Sequence, residues 1–250
     1  MIRVERLRKT YGPLAAVDDV SMEVAPGSVL GFLGRNGAGK TTTIRMMVGL
    51  LEPTAGTVVL DGHDIRRAPE AAKAVTGYLP DRPHLYDKLT GHEYLAFVAG
   101  LYGVPRRESR QRAAALLDEL DIAAQADELV ETFSHGMKQR LALAGALIHR
   151  PRILVLDEPM VGLDPEGARE LRRLLRRLAR DGVTIFLSTH SLAVAEDVST
   201  RIAILDRGRL VALGTLEELR ARAPGGAGNG RVRSEASLED VFLDILGSRA

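Results

Sequence analysis

The chain has 250 residues, 45% of them hydrophobic, which is enough for one large domain or a core carrying a subdomain. Its 34 basic and 33 acidic side chains nearly cancel, so the basic footprint of a nucleic-acid binder is absent and no nucleic-acid partner is expected. It contains no cysteine, which excludes disulfides, thiolate metal sites and cysteine nucleophiles and fits a cytoplasmic protein.

The N-terminus, Met1-Ile2-Arg3-Val4-Glu5-Arg6, is charged and lacks an apolar stretch, so no secretory signal is expected. Ile2 and Val4 alternate with Arg3 and Glu5 as in a half-buried strand, and residues 17–24 make a second strand candidate. Residues 28–33 form a short continuous apolar run, the pattern of a strand buried on both faces. A glycine-rich loop follows, then a helix over 41–50. Strand signals return at 57–60 and 75–79. From 89 to 150 helical spacing takes over, with Leu116, Leu117 and Leu120 backed by Arg and Glu, which predicts an inserted helical subdomain.

Residues 153–156 are another buried strand. Asp164-Pro165 starts a helix, with Asp as cap and Pro in the first turn, and Gly182 stops it. Leu171, Leu174, Leu175 and Leu178 form its apolar face. Strands are expected at 184–187, 202–205 and 209–212, the last two joined by an Arg207-Gly208 hairpin turn. Residues 223–236 read as a flexible linker, and 237–250 as a short C-terminal helix with Leu238, Val241, Phe242, Ile245 and Leu246 on one face. Strands alternating with helices argue for a mainly parallel layered sheet. No apolar run approaches the roughly 18 residues of a membrane span, 141–148 being among the longest, so any membrane role is exercised from outside the bilayer.

Gly34-Arg35-Asn36-Gly37-Ala38-Gly39-Lys40-Thr41 fits the pattern G-x-x-x-x-G-K-[ST]. Glycines let the backbone curl so that its N–H groups face phosphate oxygens, and the following helix presents its positive end to the same anion. The segment Gly34–Thr41, extended by Thr42, is therefore the expected nucleotide-phosphate site, with Lys40 reaching the β- and γ-phosphates and the Thr41 hydroxyl on Mg²⁺. The spacing is not that of a dinucleotide fingerprint. Ile153-Leu154-Val155-Leu156-Asp157-Glu158 is a buried strand ending in two carboxylates, 117 residues after Lys40. Asp157 is expected to hold Mg²⁺, and Glu158 to orient and deprotonate an attacking water.

Phe133-Ser134-His135-Gly136-Met137-Lys138-Gln139-Arg140 begins a helix 23 residues before Asp157, counted from Ser134. A Ser cap, a Gly backbone and a helix N-terminus make a second anion site, built on Ser134 and Gly136. This segment resembles the LSGGQ signature of ABC-type ATPases, and with it nearly the whole chain resembles that family, in its exporter-type branch. The resemblance implies an α/β phosphate-loop NTPase fold, RecA-like, whose mainly parallel sheet carries an antiparallel β subdomain and the helical insertion. It places the ATPase domain at 1–222.

The resemblance implies further roles. Tyr11 would stack on adenine. Val161-Gly162-Leu163-Asp164 resembles the family's D-loop, and His190 sits where a switch histidine meets the γ-phosphate. Leu238-Glu239-Asp240-Val241-Phe242 resembles an ending common among exporter-type subunits. Asp81 stands where the family has a Q-loop Gln, and still offers oxygen to Mg²⁺ or water. His135, Phe133, Met137 and Val161 also depart from the usual residues. ATP and Mg²⁺ are the implied cofactors. The implied partners are an integral membrane permease and a second ATPase, either another copy or a different subunit. The chain would then be peripheral on the cytoplasmic face of the cell membrane. The alternative is a soluble ABC ATPase acting outside transport. Against it, neither a heptad run nor a second ATPase module is present. A small-molecule kinase or GTPase is opposed by the signature and by the lack of an Asn-Lys-x-Asp motif.

Overall fold

The computed structural model describes residues 1–222 and 237–247, so the expected linker at 223–236 and the final positions 248–250 lie outside the described residues. The chain opens with a long hairpin, β1 (Ile2–Tyr11) and β2 (Leu14–Val24). β1 runs well past the residues whose alternation marks it in the sequence. Its pairing with β2 slips between Val4 and Leu7, and Arg6 there takes a positive φ of 46°, so the bulge breaks the two-residue period. β4 (Ala55–Leu60) and β5 (His63–Asp64) complete an antiparallel sheet of order β2-β1-β4-β5.

β3 (Val29–Leu33), β7 (Ile153–Asp157) and β8 (Thr184–Ser188) are buried at every position, as strands covered on both faces require. With β6 (Thr76–Leu79), β9 (Arg201–Asp206) and β10 (Arg209–Gly214) they form the order β10-β9-β3-β8-β7-β6. All neighbours are parallel except the β9–β10 hairpin. Arg207 and Gly208 both take positive φ in its two-residue turn, the geometry that matches strand twist.

α1 (Lys40–Met47) packs between the two sheets, in a core with Phe32, Val155 and Phe186. The helical insertion comprises α3 (Gly91–Leu101), α4 (Arg106–Glu119) and α5 (His135–Leu147), preceded by the short α2 (Pro69–Ala74). Thr90 and Glu93 form a reciprocal capping box at α3. α6 (Pro165–Arg180) starts as the sequence predicts, with the Asp164 carboxylate accepting from the Gly167 amide at 2.9 Å. α7 (Leu192–Val198) and α8 (Leu216–Arg222) follow, and α9 (Leu238–Gly247) lays Leu238, Val241, Ile245 and Leu246 against Leu33, Ala195 and Ile204. Among the described residues no helix is long and apolar enough to cross a membrane.

The insertion is pinned to the sheet at His149. Its ring stacks on Tyr102 at 3.7 Å between centroids, and its Nε2–H donates to the Thr76 carbonyl at 3.2 Å. Burial pushes the imidazole down from 6.5 to about 4, with the Arg112 charge acting the same way. The folded pKa lies below the unfolded one, so the unfolded chain takes up the proton first. This contribution is intact above about pH 6.5 and is lost as pH falls toward 4. In urea titrations at about pH 7.5 and about pH 5 the wild-type midpoint should drop. His149→Phe, which keeps a ring against Tyr102, should drop less. Equal losses in both proteins would contradict this role for His149.

Candidate functional site

Because β8 lies between β3 and β7, the segments that leave the carboxyl ends of these three strands are neighbours. Lys40 and Asp157, far apart in sequence, thus belong to segments about 10 Å apart, two strand spacings. Such an edge is where an open parallel sheet takes its ligand. The cleft there holds about 660 Å³. Lys40, Thr41 and Thr42 line one side; Asp81, Asp157 and Glu158 line another.

The loop before α1 is shaped by its glycines and by a brace. Gly39, at the helix start, has φ 105°, and a Cβ there would collide with the Ala16 carbonyl oxygen. The hairpin turn supports the loop from outside: the Gly208 amide donates to the Ala38 carbonyl at 2.8 Å. Gly34 and Ala38 are structural positions of the loop, packed on Leu205 and the hairpin, whereas Arg35, Asn36, Gly37 and Gly39 line the cleft. Lys40 is only 9% exposed, and its ammonium donates to the Gly34 carbonyl at 2.7 Å. The cation is thereby held against the loop by its carbonyls, Gly34 at 2.7 Å and Arg35 at 3.4 Å.

Asp157 ends β7 and is buried. That burial raises its carboxyl pKa, and the Asp81 charge adds to it, while the Ser188 and Thr41 hydroxyls and the Lys40 charge pull the other way. A carboxylate whose charged form is disfavoured by burial gains from a further positive charge placed beside it. Glu158 turns out of the strand with φ 52°, a left-handed backbone uncommon for a side chain of this size. Its amide is held by the Ser188 carbonyl at 3.0 Å. Its carboxylate accepts from the His190 amide at 3.2 Å and lies 2.8 Å from His190 Nδ1. Glu158 and His190 thus form one unit at the cleft, Glu158 15% exposed and His190 65%.

Other predicted residues stand elsewhere. Tyr11 is half exposed at the tip of β1, with the Lys9 ammonium 5.4 Å from its ring centre. It does not line the cleft; its cross-strand partner Leu14 does, with Ala15 and Ala16. Ser134 caps α5, its hydroxyl accepting from the Met137 amide at 3.2 Å. Neither Ser134 nor Gly136 lines the cleft. Instead the N-terminus of α5 packs on the loop before α6, the His135 ring covering Gly162, whose φ is 82°. Two supports of the site escaped the sequence reading: Ser188, which holds the Glu158 amide, lies just past the strand expected at 184–187, and Arg207-Gly208 was readable only as a hairpin turn.

The family model for ABC transporters matches residues 17–161. The linearmycin resistance ATP-binding protein LnrL of Bacillus subtilis is 36% identical over 225 residues, spanning 90% of this chain and 72% of that one. The daunorubicin resistance ATP-binding protein DrrA3 of Streptomyces coeruleorubidus is 40% identical over 224 residues, with 90% and 71% covered. Among solved structures, an ATP-binding subunit of an ABC transporter superposes with a TM-score of 0.90 at 32% identity, covering 98% of this chain and 99% of that one. A dimeric ATP-binding cassette in a post-hydrolysis state bound to ADP and Pi superposes with a TM-score of 0.79 at 26% identity, over 86% of this chain and 99% of that one. A glycine-rich loop between a buried strand and a helix, a buried acidic strand end and a serine-capped α5, on a fold shared over nearly its whole length, have one family in common: the chain belongs to the ABC transporters, as an ATP-binding and ATP-hydrolysing subunit that energises transport.

Proposed function

We infer that ATP is hydrolysed between two such subunits arranged head to tail, the phosphate loop of one facing Ser134 and Gly136 of the other, with a membrane permease driven by their closure. One observation supports this reading: of the two helix ends whose sequences suit a phosphate, at Lys40 and at Ser134, only the first lines the cleft. A second chain is what brings the other end to the nucleotide. One copy of each motif suits a symmetric pair with two equivalent sites.

Within the site Lys40 and the loop amides bind the phosphates, Glu158 orients the attacking water and takes its proton, and His190 steadies Glu158 and reaches toward the γ-phosphate. Tyr11, beside the cleft on the β1–β2 hairpin, would flank the base. The Thr41 hydroxyl with the Asp157 carboxylate, and Asp81 across the cleft, supply the hard oxygen donors that suit Mg²⁺, which takes one or two carboxylates plus substrate phosphates. Bound there, Mg²⁺ would neutralise phosphate charge. The permease sits in the cell membrane and this chain on its cytoplasmic face. The relatives named for drug resistance support export as the direction.

Intersubunit complementation tests the shared site. Lys40→Ala and Ser134→Arg should each abolish hydrolysis alone. Mixed, they should regain it, because one of the two sites in a mixed pair keeps both Lys40 and Ser134. A mixture no more active than its components would sink the head-to-tail arrangement.

A further inference from the structure

A second pocket, of about 450 Å³, opens between the helical insertion and α6 and shares no lining residue with the nucleotide cleft. Its walls are leucines from three elements: Leu143 of α5, Leu171 and Leu174 of α6, and Leu79 at the end of β6, all buried. Into this apolar space comes one polar side chain, Gln139, which is only 2% exposed. Its Nε2–H donates to the Pro159 carbonyl at 3.4 Å, which fixes the amide orientation. Its Oε1 is then buried with no hydrogen-bond partner. A buried carbonyl left unpaired is rare and points to a donor that arrives from elsewhere.

The charges at the mouth give that donor a context. Arg140 is near Glu170 at 3.9 Å, and Arg177 is paired with Glu119. Arg173 and Arg180 line the same pocket, and among the described residues neither forms an ion pair. The pocket therefore combines an apolar chamber, an acceptor at its wall and two uncommitted guanidinium groups at its rim. Guanidinium favours planar or forked anions such as carboxylate and sulfonate.

We propose that this pocket binds a small amphipathic organic anion: an apolar ring or chain inside, an N–H or O–H donating to Gln139 Oε1, and a carboxylate or sulfonate on Arg173 and Arg180. A mostly apolar concavity with a few convergent polar groups is the usual form of a small-molecule site. The ligand would touch α5, whose first turn carries Gly136, and α6, which begins at the Asp164 cap. It would thus bridge the helical insertion and the core without entering the nucleotide cleft.

The probe is 1-anilinonaphthalene-8-sulfonate, which carries an aromatic body, an N–H and a sulfonate. It is titrated by fluorescence into the full chain with ADP saturating the nucleotide cleft. Wild type should show one saturable site. Gln139→Leu should weaken it roughly 10-fold, the loss expected for one buried hydrogen bond. The double variant Arg173→Ala/Arg180→Ala, at exposed positions that leave the core untouched, should weaken it by a similar factor or more. Binding that does not saturate, or that neither variant weakens, would overturn the proposal. So would weakening by the arginine variant alone in a folded Gln139→Leu protein, because the anion would then sit on the surface outside the pocket.

Discussion

Glu158→Gln should lower ATP turnover by about 10²- to 10⁴-fold while leaving ATP binding near the wild-type level. The substitution keeps the shape of the side chain and an oxygen for the His190 amide, 3.2 Å away. It removes the negative charge and the ability to take a proton. The strained turn at residue 158 and the Ser188 contact are backbone features and are retained. A protein that binds normally and does not turn over is therefore the expected product, seen as loss of phosphate release with unchanged affinity by calorimetry. Turnover close to wild type would show that another group accepts the proton.

Lys40→Ala acts at the opposite side of the cleft and on the other quantity. The buried ammonium holds the Gly34 carbonyl at 2.7 Å and also reaches the Arg35 carbonyl at 3.4 Å. Its removal takes away the one lysine of the cleft and loosens the loop whose amides would face phosphate. A charge-assisted hydrogen bond contributes about 1.5–3 kcal/mol, so ATP affinity should fall about 10- to 100-fold. The same titration on this variant checks it. Unchanged affinity would remove Lys40 from the phosphate site.

Much of this architecture was legible because the sequence carries it locally. The phosphate loop is one continuous stretch, and the runs read at 28–33, 153–156 and 184–187 correspond to the strands Val29–Leu33, Ile153–Asp157 and Thr184–Ser188. The caps Ser134 and Asp164 were readable because a short polar side chain before an apolar-faced helix has a local physical purpose. What was hidden depends on distant partners. α7 and α8 have seven residues each, too few for a helical period to stand out, and α7 buries only Ala195 and Val198. That Arg207-Gly208 would brace the phosphate loop follows from β9 pairing with β3, which no local pattern announces. The orphaned oxygen of Gln139 likewise exists only once α5 meets the segment after β7. That Leu14, the cross-strand partner of Tyr11, lines the cleft follows from the β1–β2 register and not from motif order.

The most direct test of the two-chain ATP site is the light-scattering mass of Glu158→Gln with and without ATP and Mg²⁺. The chain mass is 27.1 kDa. Without nucleotide the variant should be a monomer. With ATP it should shift to twice that mass and stay there, because the nucleotide that joins the two chains is not consumed. ADP should not cause the shift. A Glu158→Gln protein that is saturated with ATP and still weighs 27.1 kDa would contradict a site shared between two copies of this chain.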